Sequence, residues 1–262
     1  MIKVREMDIE YCMHYTDNPE AARGPAWLYD ETKPCGVNYN NAILARLYDV
    51  HHGSFRDYRQ EAANIVARLG VGPSATVIDM GCGTGAFALY AAGHCRMVHA
   101  VDVSAAMIRG TQRKARRMGL KNVEFHRGGF LTYEHRAEPA DAISTVAALH
   151  HLPDFWKLIG LRRLASMLKP HGRLFLFDVV FSFEAGEYEQ SIEQFIAKTH
   201  EQMGPRGRSE SETHVRDEYS TCDWIMEGLL ERAGFRVQTA DYHGEFLASY
   251  LCTKRGSDDA ER

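Results

Sequence analysis

The 262-residue sequence lacks the features typical of membrane-spanning, secreted or nucleic-acid-binding proteins. No apolar run reaches the length needed to cross a membrane, and the charged first residues do not resemble a secretory signal. The six cysteines are scattered without a C-x-x-C pair, so we expect reduced thiols and no metal site. A formal net charge of -4 offers no general attraction for nucleic acid. These absences predict a cytoplasmic protein with no nucleic-acid partner and no membrane span.

The order of apolar and helix-forming runs indicates the fold class. Hydrophobic residues make up 45% of the chain, which is ordinary for a globular protein. From residue 75 onward, short β-branched runs alternate with helix-forming runs, and this alternation is typical of a doubly wound, mostly parallel α/β sheet. The last two extended segments are joined at hairpin length, which predicts an antiparallel C-terminal edge strand. We therefore expect a Rossmann-like sheet of seven strands, at residues 76–80, 97–102, 123–126, 140–146, 173–180, 235–240 and 246–253.

Two regions depart from the strand–helix alternation and predict a helical cap beside the core. The first is an N-terminal arm rich in aromatic residues, proline and glycine. The second is a partly mobile insertion, with a helix over 188–203 followed by a polar run at 204–212. Their aromatic residues are consistent either with packing of the cap on the core or with a lid over a ligand. An aromatic arm that can wrap a neighbouring chain also favours a homodimer. The expected divisions are arm 1–60, core 61–183, insertion 184–221, C-terminal part of the core 222–255 and tail 256–262.

The most informative stretch runs from Thr76 to Gly85, where an apolar strand reaches Asp79 and then a glycine-rich turn. Helix-forming residues follow at 86–92. A strand, a tight glycine turn and a helix allow the backbone to approach a small ligand at the helix N-terminus. Asp102 ends the next predicted strand about 20 residues further on, where a carboxylate can accept hydrogen bonds from a ribose. The pattern predicts a nucleoside-containing cofactor at the carboxyl edge of the sheet.

Segments in the same order along the chain resemble the motifs of class I S-adenosylmethionine-dependent methyltransferases, in the ubiquinone/menaquinone C-methyltransferase-like group. Val77–Gly85 looks like their first motif and Ala100–Ser104 like their second. Ala140–Leu152, with its Leu-His-His-Leu turn, resembles the motif of their fourth strand. Residues 168–174 and 230–235 are similar to the segments that lead into their fifth and sixth strands. The resemblance covers about residues 60–255 and implies S-adenosylmethionine as the cofactor.

The resemblance also implies which residues bind this cofactor. The glycine turn would pass under the amino-acid moiety, with Asp79 orienting the turn and the amino group. Asp102 would bind the ribose hydroxyls, with Val103 against the adenine. Residues just past the fourth strand would line the methionine end. The implied cofactor-binding residues are Asp79, Gly81, Cys82, Gly83, Gly85, Asp102, Val103, Gly129, Phe130, Thr145 and Val146.

One turn departs from the pattern of the group. Related enzymes often carry an acid before an aromatic residue, where the carboxylate meets the adenine amine, but this sequence has Gly128-Gly129-Phe130. We therefore expect Phe130 or the backbone of Gly129 to bound the adenine without a carboxylate.

Candidate catalytic residues follow from the chemistry of methyl transfer. The sulfonium already activates the methyl group, so a general base is needed only when the acceptor must lose a proton. His150 and His151 are placed for that task, although a structural role in their turn is an alternative. The histidines at 51–52 have the same two interpretations, a general base or a structural role. The expected polar contacts to substrate or lid are Tyr48, Arg56 and Arg59.

These observations favour a methyltransferase that acts on a small molecule held between core and cap. An RNA or protein methyltransferase is an alternative, although the acidic balance disfavours nucleic acid. A regulatory protein that binds S-adenosylmethionine without turnover is another. A nicotinamide oxidoreductase is disfavoured because the glycine spacing is not G-x-G-x-x-G.

Overall fold

A computed structural model of the chain describes residues 25–36 and 57–256. Within these ranges one mixed sheet is flanked by helices on both faces. The predicted arm is therefore represented by a short segment, residues 25–36, which contains turns and bends but no helix or strand. Tyr48, Arg56 and the histidine pair at 51–52 lie outside the described residues.

The sheet confirms the Rossmann-like prediction. Its spatial order is β3-β2-β1-β4-β5-β8-β7, with β6 paired beside β5. The pairs from β3 to β5 are parallel, and β8 runs antiparallel to both β5 and β7. The strands are β1 (Thr76–Met80), β2 (Met97–Asp102), β3 (Val123–Arg127), β4 (Ala140–Val146), β5 (Leu168–Phe181), β6 (Thr221–Cys222), β7 (Phe235–Tyr242) and β8 (Leu247–Lys254).

Helices pack on both faces of this sheet. The first three helices share a buried apolar cluster with one face, and α4 and α6 share a second cluster with the other. Among the described residues, no helix is long and apolar enough to cross a membrane. The helices are α1 (Tyr58–Leu69), α2 (Ala86–Ala91), α3 (Ala105–Arg117), α4 (Asp154–Met167), α5 (Tyr188–Asp217) and α6 (Asp223–Arg232).

The strands of the core arise from the apolar pattern of the sequence. Every residue of β1 is buried, as expected for a central strand with helices on both faces. Local signals also define the ends of α1, where the Asp57 carboxylate accepts a hydrogen bond from the Gln60 amide at 3.0 Å. Gly70 then ends the helix in a left-handed conformation. Because β1 is paired in parallel with both β2 and β4, the carboxyl ends of the three strands meet at one edge of the sheet.

The C-terminal strands differ from the expected arrangement in position and number. The antiparallel strand β8 lies one strand in from the edge, and β7 forms the edge itself. The two-residue strand β6 adds an eighth strand to the seven expected. The strand β6 was not predicted because two residues are too short to show a strand pattern. The short connection between β7 and β8 predicts that they pair, but it does not determine which of the two forms the edge of the sheet.

The insertion is more regular than its composition predicted. The helix α5 continues through the polar run, with a kink at Gly204, where φ is 67° and ψ is -155°. Pro205 follows directly, at the start of the second helical piece, where proline is tolerated. An ion pair of 2.6 Å between Arg206 and Glu210 then joins successive turns. The expected helix over 188–203 therefore extends to Asp217, because the charges of the polar run are spaced for a helix.

Candidate active site

The glycine turn connects β1 to α2 at the carboxyl edge of the sheet. Gly81, Gly83 and Gly85 have φ values of 75°, 52° and 83°, a region that side chains other than glycine rarely adopt. A Cβ at Gly81 would lie 2.5 Å from the Cβ of Ala148, so a side chain there would collide with the segment after β4. The backbone therefore approaches the segment after β4 closely at Gly81.

Asp102 holds this turn from the neighbouring strand. Its carboxylate accepts hydrogen bonds of 2.8 Å from the amides of Gly83 and Ser104. The Ser104 hydroxyl in turn accepts from the Met107 amide and caps α3. Burial raises the pKa of Asp102 to about 6, although these hydrogen bonds oppose the rise. A carboxylate fixed between two loops in this way is suited to accept hydrogen bonds from ribose hydroxyls.

Asp79 is the second carboxyl group beneath the turn. It accepts a hydrogen bond of 3.1 Å from the Ala88 amide in the first turn of α2. Burial raises its pKa to about 7, and the nearby charge of Asp102 adds to the rise. The pair gives the pocket negative character, which suits the positively charged amino group of S-adenosylmethionine.

The turn after β3 contains a carboxylate that the sequence did not predict. Glu31, from the segment 25–36, accepts hydrogen bonds from the Leu131 amide at 3.0 Å and from the Thr132 hydroxyl at 2.7 Å. A Cβ added to Gly129 would lie 2.5 Å from Glu31 Oε2 and 2.8 Å from Val103 Cγ1. Burial raises the pKa of Glu31. Its carboxylate thus occupies the space that an acidic side chain at position 129 would fill.

The remaining residues of the predicted cofactor site divide into two groups. Val103 is half-buried beside Gly129. Thr145, the last but one residue of β4, has a buried hydroxyl with no hydrogen-bond partner among the described residues. An unpartnered buried hydroxyl at this edge is consistent with a ligand. Phe130, by contrast, is buried in the core, 2.9 Å from where a Cβ of Gly160 would stand. Val146 is half-buried and packs against the core cluster of the other face.

His150 lies in a buried network of charged groups after β4. Its Nδ1 pairs with the Asp178 carboxylate, and its Nε2 lies 3.3 Å from Glu218 Oε2. Glu218 also pairs with His214, one turn earlier along the chain. Burial alone would lower the pKa of His150, but the two carboxylates outweigh it and raise the pKa to about 9. His150 is therefore held as an imidazolium with both ring nitrogens occupied.

His151 differs from its neighbour in both partner and charge. Its Nδ1 lies 3.4 Å from Cys35 Sγ, and its carbonyl accepts a hydrogen bond of 3.5 Å from the Tyr29 hydroxyl. Burial and the charge of His150 lower the pKa of His151 to about 4. Burial raises the pKa of Cys35 to about 11, so this residue is a thiol at neutral pH. His151 is accordingly a neutral imidazole at pH 7 and a weaker base than an ordinary histidine.

Segments distant in sequence thus cover the turn that holds the two histidines. Residues 25–36 contribute Tyr29 and Cys35, and the end of α5 contributes Glu218. The Tyr219 amide donates a hydrogen bond of 2.9 Å to the His150 carbonyl. The buried Lys157 also binds the Tyr219 carbonyl and fixes this segment on α4.

Several participants in the site were absent from the sequence prediction. Glu31, Asp178 and Glu218 are single acids in segments without a recognisable motif. Their partners in the glycine-rich and histidine turns lie between 28 and 101 residues away. The position of Asp178 near the end of β5 was the one available signal, because strand ends meet at this edge. Arg59, a predicted substrate contact, is exposed in the first turn of α1.

The chain resembles known proteins over this region. A family model described as a methyltransferase domain matches residues 77–172. An uncharacterized methyltransferase of Geobacillus kaustophilus is 26% identical over 164 residues, covering 63% of this chain and 70% of that protein. A ubiquinone biosynthesis O-methyltransferase of Coxiella burnetii is 30% identical over 154 residues, covering 59% and 62% respectively.

A solved structure extends the likeness in fold. The magnesium protoporphyrin IX methyltransferase of Synechocystis, determined with bound S-adenosylhomocysteine, superposes with a TM-score of 0.59 at 18% identity. The superposition covers 82% of this chain and 96% of the other.

The described residues fit the amino-acid, ribose and adenine parts of S-adenosylmethionine through the glycine turn, Asp102 and the Val103–Gly129 pair. The fold and this site define a nucleoside-binding α/β protein. Residues 77–172 match a methyltransferase domain, and the likeness over this region supports a class I S-adenosylmethionine-dependent methyltransferase with S-adenosylmethionine as its cofactor.

The raised pKa values of Asp79 and Asp102 predict a pH-dependent cofactor affinity. Both groups must be ionised to accept hydrogen bonds from the ammonium and the ribose, so affinity should increase as pH rises through about 6 and about 7. We expect S-adenosylhomocysteine to bind at least about tenfold more tightly at pH 8 than at pH 5.5 by calorimetry. Asp102→Ala should weaken binding at pH 8 by about 1.5–3 kcal/mol.

Glu134→Ala is the matched control, since Glu134 is exposed and pairs only with Arg136 among the ion pairs described. Its affinity should equal that of the wild type. Unchanged affinity in Asp102→Ala would show that the ribose binds elsewhere.

Proposed function

We propose that the protein transfers the methyl group of S-adenosylmethionine to a small molecule held between the carboxyl edge of the core and a cap. The cap comprises residues 1–60 and 184–221. The proposal rests mainly on one observation: residues 25–36 and the end of α5, both outside the core, cover the His150–His151 turn. An edge enclosed in this way suits a compact acceptor better than a nucleic acid or a protein, which needs an extended surface.

The surroundings of the turn support an acceptor with apolar parts. The rings of Tyr29 and Tyr219 meet edge to face with centroids 6.4 Å apart, and Tyr29 also packs against Trp156 at 6.3 Å. Apolar walls with a few polar anchors are typical of small-molecule pockets. The polar anchors available here are His151 and the thiol of Cys35.

The cofactor supplies the activated methyl group, and the protein positions the reactants and excludes water. An acceptor such as a neutral hydroxyl must lose a proton as its bond to the methyl carbon forms. His151 is our candidate to receive that proton, because it lies at this edge and its imidazole is neutral at pH 7, although its lowered pKa makes it a weak base in the absence of substrate. His150 is the positioning residue, because Asp178 and Glu218 occupy both of its nitrogens and fix the turn.

Glu31 completes the adenine subsite in this proposal. The group of enzymes that the sequence resembles often carries an acid before the aromatic residue of this turn, but this chain has Gly129 there. The carboxylate of Glu31 lies in the equivalent space and would accept a hydrogen bond from the adenine amine. The segment 25–36 would then reach both ends of the site, because Glu31 would bind the adenine amine and Cys35 lies beside His151.

Transfer of label from S-adenosylmethionine carrying a tritiated methyl group tests the substrate class. The protein is incubated with separate low-mass, RNA and protein fractions of a cell extract. We expect label to enter the low-mass fraction and to require intact Asp102, since Asp102→Ala loses cofactor affinity. Label in the RNA or protein fraction would overturn the small-molecule proposal and favour the alternatives.

The role of Glu31 is tested by removing its carboxylate and the adenine amine separately. Wild-type protein should prefer S-adenosylhomocysteine over its inosine analogue, which lacks the 6-amino group, and Glu31→Ala should lose that preference. The expected loss for the adenine ligand is about 1.5–3 kcal/mol by calorimetry, because the hydrogen bond is to a charged group. Lys33→Ala, an exposed residue of the same segment, is the control. An equal loss for both ligands would assign Glu31 to folding of the turn alone.

A further inference from the structure

A second histidine cluster lies on the sheet away from the acceptor edge. His99 on β2 and Glu124 on β3 are partners in the parallel register, and His126 lies two residues further along β3. Residues two apart on a strand face the same side of the sheet, so the three side chains project from one face. β3 is an edge strand of the sheet. The cluster is therefore built on two adjacent strands, and one of its sides is open to solvent through Glu124, whose side chain is 54% exposed.

The three side chains bring their ligand atoms to one point. His99 Nδ1 lies 3.2 Å from His126 Nε2 and 3.2 Å from Glu124 Oε2, and His126 Nε2 lies 3.7 Å from Glu124 Oε2. An ion bound tetrahedrally at about 2.0–2.1 Å from each donor separates neighbouring donors by about 3.3–3.4 Å. The observed separations bracket that value, so little movement is needed to accommodate an ion.

Hydrogen bonds alone explain the close approach of these three ligand atoms less well than a bound cation does. A neutral imidazole carries one N–H, and a hydrogen on His99 Nδ1 can point at His126 or at Glu124 but cannot serve both well. A cation in the centre would satisfy the two nitrogen lone pairs and the carboxylate together. Two imidazoles with one carboxylate form a ligand set used by Zn²⁺, with a fourth position left for water.

A neighbouring histidine marks the limit of the cluster. The ring of His135 meets that of His99 edge-on, with centroids 4.8 Å apart. Its Nδ1 lies 2.9 Å from the Tyr133 hydroxyl and its Nε2 lies 2.9 Å from the Glu138 carbonyl. Both nitrogens are thus occupied, which makes His135 a wall of the cluster and excludes it from the ligand set.

We propose that His99, Glu124 and His126 form a binding site for a divalent transition-metal ion of the zinc class. The ion would tie β3 to β2 close to the adenine turn, because His126 precedes Gly128 by two residues. Its role would be to brace the sheet edge that carries Val103 and Gly129. The site is independent of the methyl acceptor and of the residues proposed to act on it.

The other histidine cluster offers a weaker case for a metal. His150, His151 and Glu218 place one ligand atom each within 4.8 Å of one another. Asp178 and Glu218 already saturate the imidazolium of His150, so protons alone satisfy that network. The experiment distinguishes the two clusters.

Cobalt titration of untagged full-length protein, after treatment with a chelator, tests the site. Co²⁺ should bind with one equivalent attributable to this cluster, develop visible absorption bands, raise the Tm and be displaced by Zn²⁺. Glu124→Gln and His126→Ala should weaken this binding at least about tenfold while circular dichroism shows a native fold. His135→Ala is the matched control and should bind as the wild type does.

Two results would overturn the proposal. One is the absence of bands and of a Tm shift in the wild type. The other is binding that His151→Ala abolishes but Glu124→Gln and His126→Ala leave intact, which would assign the ion to the other cluster. Glu124 is exposed, so the Glu124→Gln variant remains informative even if replacement of His126 disturbs the fold.

Discussion

The carboxylate of Asp102 is the interaction on which the cofactor site depends. It binds the amide of Gly83 in the turn after β1 and the amide of Ser104 in the turn after β2, both at 2.8 Å. Two loops from neighbouring strands are thereby fixed to one side chain before any cofactor arrives. Such preorganisation lowers the entropy that binding must lose. Burial raises the pKa of the same group, and its two hydrogen bonds oppose the rise.

The His150–His151 turn, our proposed acceptor end, is organised differently, because some of its contacts come from outside the alternating core. The turn after β4 is held from within the sheet by Asp178 and from the cap by Glu218, with His150 between them. Residues 25–36 reach over the same turn through Tyr29 and Cys35 and, in the other direction, to the adenine turn through Glu31. One short segment would thus respond to both halves of the site, which gives the cofactor a means to influence the cover of the acceptor.

The core could be predicted from the sequence because its signals are local. A buried central strand such as β1 is a continuous apolar run, and the glycines that follow it are required by backbone angles that other residues rarely adopt. The predicted strands β1, β2 and β4 have the bounds expected, and Asp102 lies at the turn as expected. The continuation of α5 beyond Gly204 was missed because a polar composition was interpreted without regard to the helical spacing of Arg206 and Glu210.

The parts of the site that the sequence did not reveal depend on contacts between distant residues. Glu31 lies 100 residues from Leu131, and no pattern of spacing could pair them. The same holds for Glu218 and His150, and for the convergence of His99 with residues on β3. In each case the role of a single polar side chain becomes evident only when the fold places a second element beside it.

A crystal structure with S-adenosylhomocysteine tests the central claim most directly. The account predicts ribose hydroxyls within hydrogen-bond distance of the Asp102 carboxylate, the amino-acid moiety over Gly81–Gly83 and the adenine amine at Glu31. Its sulfur should then point towards the His150–His151 turn. A ligand bound away from Asp102, or with its sulfur turned from that edge, would contradict the account.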